Sequence, residues 1–269
     1  MAKIVFDKLE EKNCDFSKLV SITTDGASNM IGQEHGMANE IVKMANEKMN
    51  ANRRFGVDVH CLWCIAHRLN LVAQDFKEVE NINFVIKFAK WITASDRLVS
   101  YASFLRMRYP GLKPKKLPPP SETRWLYYRD TLRAVLDQKG MIDEFMSFQN
   151  NREKWRQHIS TSKHPLGPIQ EVPFSFREPL IKAHFKFALF VLDVLGEINT
   201  IFQAKYGLLP DLWEYLPSLG QFLRNELWKI QFRRFDRFPF LSKIGLDKIP
   251  QFVSILKHLI MNLTVRFSA

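Results

Sequence analysis

Strand signals in this chain stop near residue 80, and everything beyond reads as helix or proline-rich break. Before that point, β-branched and helical stretches alternate. Residues 2–13 place Ile4, Val5 and Leu9 on one helical side. Residues 19–24, Leu-Val-Ser-Ile-Thr-Thr, have the β-branched content of a strand, which ends at the turn-forming run Asp25-Gly26-Ala27-Ser28-Asn29. Residues 36–50 form an amphipathic helix with Met37, Ile41, Met44 and Ala45 at helical spacing. Residues 57–61 read as a second short strand and 65–79 as a helix. Strands alternating with helices predict a parallel α/β layer over residues 1–80. Two strands do not make a free-standing domain. Either the sheet is completed from outside the chain, or it holds strands the pattern does not reveal.

Residues 81–269 predict a large helical region: 83–108, 123–150, 177–205, 211–231 and 248–266. Residues 110–120, Pro-Gly-Leu-Lys-Pro-Lys-Lys-Leu-Pro-Pro-Pro, interrupt it as an extended linker with partly polyproline character. A second break, over 158–176, contains Pro165, Gly167, Pro168 and Pro173. The expected fold class is therefore α/β plus α, helical for the most part.

Composition narrows the function classes. Of the 269 residues 46% are apolar, enough to bury a core, so wholesale disorder is excluded. Cys14, Cys61 and Cys64 are too few for a disulfide framework and suit a reducing compartment. The first residues lack an apolar signal-peptide core. The most apolar stretch, 185–202, is broken by Lys186, Asp193 and Glu197 and reads as a buried helix, so no membrane partner is expected.

The net charge of +11 points to an anionic partner, nucleic acid first. It is unevenly spread. Residues 1–50 hold 6 basic and 8 acidic side chains. Residues 106–133 hold eight basic ones (Arg106, Arg108, Lys113, Lys115, Lys116, Arg124, Arg129, Arg133) against Glu122 and Asp130. A second window, 224–237, interleaves Arg224, Lys229, Arg233, Arg234 and Arg237 with Trp228, Phe232 and Phe235. Cations among aromatics suit phosphate contact and base stacking; a solvated helix face with its aromatics in the core gives the same pattern. For 224–237 the core reading is preferred. For 106–133 both stay open.

Three local features could carry chemistry. Asp25 follows a strand directly, at the carboxyl edge where ligand and metal sites gather in α/β sheets. Taken alone, Asp25-Gly26 is equally a turn and Asn29 a cap, and one carboxylate is an incomplete Mg²⁺ site. His60, Cys61, Cys64 and His67 invite a zinc reading, but the adjacent pair would face opposite ways in a strand. The preferred reading is two small thiols at a strand–helix corner with a hydrogen-bonded His67. Arg124-Trp125 opens a helix after the proline run, either as a stacking platform for an unpaired base or as a core anchor. There is no Gly-rich phosphate loop, no G-x-S-x-G elbow and no H-E-x-x-H.

In order, Asp-Gly-Ala-Ser-Asn-Met at 25–30, Cys-x-x-His-Arg-Leu-Asn-Leu at 64–71 and Glu-Thr-Arg-Trp-Leu at 122–126 resemble the hAT superfamily of DNA transposases. The resemblance points to the branch with domesticated BED-finger and general-transcription-factor-like host proteins. It implies an RNase H-like catalytic core interrupted by a helical insertion. By that resemblance Asp25 stands where the second catalytic acid stands, with Gly26, Asn29 and Cys64 as structural neighbours. By the same resemblance His67 would approach a DNA phosphate and Trp125, beside Arg124, would stack at a strand break; the charge of the 106–133 window makes Lys113, Lys115, Lys116, Arg129 and Arg133 the expected DNA-binding surface.

The family's first Asp and final Glu have no counterpart. Asp7 and Asp15 lack a strand context, and Glu226 lies in a helix with no matching setting. The chain thus reads as the middle of a transposase, with Asp25 a vestigial acid and no cofactor as it stands; Mg²⁺ or Mn²⁺ would enter only with a complete site. The expected function is a transposase-derived, non-cleaving nuclear protein. It would bind DNA without sequence preference, distorted or single-stranded DNA included, or a nuclear protein partner. The alternatives are the central part of an active transposase whose other acids lie elsewhere, and a helical protein-interaction scaffold.

Overall fold

The computed structural model describes residues 2–19, 21–24, 30, 36–49, 60–76, 79–113, 115–120, 127–160, 175–202 and 209–267. They are predominantly helical and divide into two compact units, Met1–Leu69 and Asn70–Ala269.

The first unit contains α1 (Ala2–Glu11), β1 (Ser21–Thr24), α2 (Met37–Met49), β2 (His60–Trp63) and the start of α3 (Ile65–Asp75). β1 and β2 pair in parallel, Ser21 opposite His60 and Thr24 opposite Trp63. α1 packs on α2 through Phe6, Phe16, Ile41 and Ala45, with the Phe6 and Phe16 rings stacked at 4.6 Å. Asn13, with φ of 55°, ends α1 in the left-handed conformation. The amides of Asn13 and Cys14 then reach back to Glu10 and Leu9, the Schellman pattern that Asn tolerates. Among the described residues the sheet has two four-residue strands. This single short parallel pair does not support the expected RNase H-like layer over residues 1–80; what holds of the expected fold is its predominantly helical character. Among the described residues β2 covers His60 to Trp63; Val57 to Val59, the first part of the expected strand, lie outside them.

The regular elements of the second unit are helices among its described residues: the end of α3, then α4 (Glu80–Thr93), α5 (Ser95–Arg108), α6 (Tyr128–Asp137), α7 (Lys139–Ser147), α8 (Gln149–Ser160), α9 (Pro179–Phe202), α10 (Leu209–Gln231) and α11 (Ile249–Phe267). α9 runs through its centre. Ala183, Phe185, Phe187, Ala188, Val191 and Leu195 are fully buried on it, which is why 185–202 is so apolar. Two aromatic groups pack along α9. Phe88, Trp91, Trp155, Phe176 and Phe185 form one; Phe187, Phe190, Phe238 and Phe252 form the other.

Two long helical readings break into shorter helices. The stretch 83–108 divides at Ala94, whose ψ of 141° leaves the helical region. Ser95 and Asp96 then open α5, with the Asp96 carboxylate in its first turn, where the helix dipole favours it. The stretch 123–150 divides at Gln138 and Phe148. Apolar periodicity continues across these single-residue breaks, so spacing alone does not register them.

The proline run is fastened to the helices. Leu117 is buried, Thr131 Oγ1 of α6 donates to the Pro118 carbonyl at 2.8 Å, and Gln138 Nε2 donates to the Lys115 carbonyl at 3.1 Å. Prolines offer carbonyls and no N–H, so side-chain donors from the helix are the partners this strap requires. Among the described residues no helix is long and apolar enough to cross a membrane.

Candidate nucleic-acid interface

In the first unit, the parallel pair joins the end of β1 to the start of the motif that holds Cys64 and His67. The Cys64 amide donates to the Thr24 carbonyl at 2.8 Å, extending the ladder one step past both strands. Cys64 is half-buried, and its carbonyl accepts from Arg68 as α3 begins. His67 sits in the first turn of α3, half-buried, at the same carboxyl edge where β1 ends. Thr24 is buried, and its hydroxyl has no partner among the described residues. Asp25 is the next residue in the chain; Asp25, Gly26 and Asn29 themselves lie outside the described residues. Among the described residues no three His, Cys, Asp or Glu side chains gather as a metal site. Asp7 and Asp15 are exposed on and after α1.

The second unit carries the basic surface. Lys113, Lys115 and Lys116 project from the strap, all exposed. Lys115 pairs with Asp137 of α6 at 3.2 Å. On the same helix, Arg133 pairs with Asp193 of α9, while Arg129 lies 3.4 Å from Asp130 and 4.0 Å from Asp193. Burial pushes the Asp193 carboxyl up, against the pull of Arg133 and Arg129. Arg129 lies against α9 at Gly196, where a Cβ would meet its Nη1 at 2.6 Å and push the flexible guanidinium aside. Arg108 pairs with Glu144 at 3.2 Å, and the Tyr109 hydroxyl donates to the same carboxylate at 2.7 Å, which holds Glu144 below the usual carboxylate range. Arg106, Lys113 and Lys116 have no ion pair among the described residues.

Folding therefore brings Asp137, Glu144 and Asp193 among cations that face only Glu122 and Asp130 in the linear window. Exposed ion pairs of this kind are worth under ~1 kcal/mol, so a phosphate can replace the carboxylate at small cost. Arg124 and Trp125 lie outside the described residues.

The window 224–237 departs from its preferred reading. Trp228 and Phe232 are not core residues: they are 49% and 63% exposed, with ring centroids 4.7 Å apart at the end of α10. Leu223, Glu226 and Ile230 form the buried face; Trp228 falls on the polar stripe of Gln221, Arg224 and Asn225. Helical spacing alone carries that assignment, but aromatic residues invite a core reading by type. Arg233 ends α10 in the left-handed conformation, φ 60°, its amide bonded to Ile230 and that of Arg234 to Lys229. Glu226 is buried and neutralised by Lys229 at 2.8 Å and Arg237 at 3.8 Å, an internal ion cluster.

No family model matches the chain, and no solved structure matches it. It is similar to the general transcription factor II-I repeat domain-containing protein 2 of Bos taurus, at 26% identity over 257 residues. The match covers 92% of this chain, which spans about a quarter (24%) of that curated relative's length.

Proposed function

We propose that this chain is a transposase-derived module that binds DNA without cleaving it, through the strap and α6. The observation behind the reading is the exposed row Lys113, Lys115 and Lys116 on a strap pinned to α6, the helix that presents Arg129 and Arg133. Such a row contacts phosphates and not bases, so binding is independent of sequence. The similarity to a transcription-factor-like bovine protein supports a nuclear setting. The RNase H-like ancestry rests on the motif order alone; the Cys64–Thr24 hydrogen bond ties the start of the His67 motif to the end of β1.

Gel-shift titration on intact and gapped duplexes tests the reading. Lys113, Lys115 and Lys116 changed together to Ala weaken both complexes alike. Trp125→Ala weakens the gapped one more, since stacking on an unpaired base is worth ~1–3 kcal/mol. Incubation with Mg²⁺ or Mn²⁺ leaves the DNA intact. Metal-dependent nicking that disappears in Asp25→Ala would replace the proposal with a working transposase core. Absence of DNA binding at low salt would replace it with a protein scaffold.

A further inference from the structure

α7, α9 and the 3₁₀ turn Pro239–Lys243 enclose a half-open cleft of about 600 Å³, within the size range of small-molecule sites. Lys139 of α7, Lys182 and Lys186 of α9, Lys243 of the turn and Arg177 just before α9 all line it. Lys182 and Lys186 are one helical turn apart and so share a face. Except for Lys243 the lysines are half-buried, and among the described residues none of the four is paired with a carboxylate. Two acids also line the cleft, and both feel the charge of Arg177. Asp143 accepts from the Phe176 amide at 2.6 Å, and Glu144 is bound by Tyr109 and Arg108. Lys186 lies 5.4 Å above the Phe240 ring, which forms part of the wall.

Burial lowers the pKa of Lys186, and the ammonium groups of Lys182, Lys139 and Lys243 lower it further. Four like charges crowded into one concave space raise one another's energy, and a compact anion relieves that cost.

We propose that this cleft binds a small anion with adjacent phosphates, of the diphosphate or triphosphate class. The site needs several negative charges within one small volume. Adjacent phosphates supply that density; the carboxylates of an acidic peptide, or the singly charged phosphates along a nucleic-acid strand, are spaced too widely. Lys182, Lys186 and Lys243 meet the phosphates as point charges, Arg177 adds a forked donor, and Phe240 offers a face to an attached ring. The site is separate from the strap surface and does not rest on the DNA-binding proposal.

The test is calorimetric titration of the whole chain with sodium tripolyphosphate at physiological ionic strength. Binding is expected, with orthophosphate at least about tenfold weaker, because forgoing one charge-assisted hydrogen bond costs a factor of that order. Lys182→Gln combined with Lys186→Gln should lower tripolyphosphate affinity at least about tenfold. Lys243→Gln alone, at an exposed position, gives a smaller reduction and guards against misfolding of the double variant. Lys257→Gln, on the exposed face of α11, leaves the affinity unchanged. No heat of binding at millimolar tripolyphosphate overturns the proposal. So does an equal reduction from Lys257→Gln, which would mean diffuse surface charge, or tighter binding of polyglutamate or a short oligonucleotide to the same lysines.

Discussion

His184 shows how one residue couples packing to solution conditions. It is 6% exposed between α9 and α11, stacked on Phe252 at 5.1 Å, with Nε2 3.2 Å from Gln251 Oε1. Burial pulls its pKa down from 6.5 to about 4, only partly offset by the Gln251 contact. The unfolded chain takes up a proton near pH 6.5 and the folded one does not until about pH 4. The stabilisation is complete above the unfolded pKa and is lost progressively as pH falls between the two values. Denaturant titrations at pH 7 and pH 4.5 should show a loss of roughly 2–3 kcal/mol from this group. The pH-dependent part should shrink in His184→Gln; an unchanged slope would mean that other groups set the acid sensitivity.

A second residue, Gln138, ties three segments together. It accepts from the Tyr101 hydroxyl at 3.3 Å and donates to the Lys115 carbonyl, and it is almost fully buried at the junction of α6 and α7. Gln138→Leu leaves a buried hydroxyl and a carbonyl unpaired, at a cost of about 1–3 kcal/mol each. The loss should appear in thermal unfolding, together with faster proteolysis at Lys115 and Lys116. Unaltered proteolysis would show that Leu117 and Thr131 hold the strap without it.

Among the elements, stability is expected to be uneven. β1 and β2 are four residues each and pair only with one another among the described residues, whereas α9 is buried along most of its length. Amides of Ser21–Thr24 and His60–Trp63 should therefore exchange faster than those of residues 183–198. Equal protection would mean that the small sheet is completed by other strands.

The elements most legible in the sequence are the ones with a clear period. α2 and α11 fall within a residue of their predicted spans, because their apolar stripes match 3.6 residues per turn. The helix breaks at Ala94, Gln138 and Phe148 are illegible, since none has a Gly or Pro to mark it. The proline run is legible as extended but not as attached, because its fastening depends on Thr131 and Gln138 from a later helix. In the site, the motif order points to the strand edge, and the Thr24–Cys64 bond supplies a link that spacing alone does not contain. Trp228 and Phe232 escape a reading by residue type, because their position on a polar stripe, not their aromatic character, sets their exposure. The lysine cleft is invisible in the sequence, as its cations come from residues 139, 177, 182, 186 and 243.

At the scale of the molecule, a net charge of +11 attracts any polyanion, so DNA binding by itself would say little about where DNA sits. What distinguishes the proposed surface is the number of phosphates it neutralises. Measuring duplex affinity from 50 to 300 mM salt, for the parent chain and for the Lys113, Lys115 and Lys116 to Ala variant, reads that number directly. The parent should give a slope of log K against log salt of about −4 to −7, as five to eight cations imply. The variant should have a slope shallower by about 2–3, with no change in sequence preference. An identical slope in both proteins would contradict the account and move the DNA away from the strap.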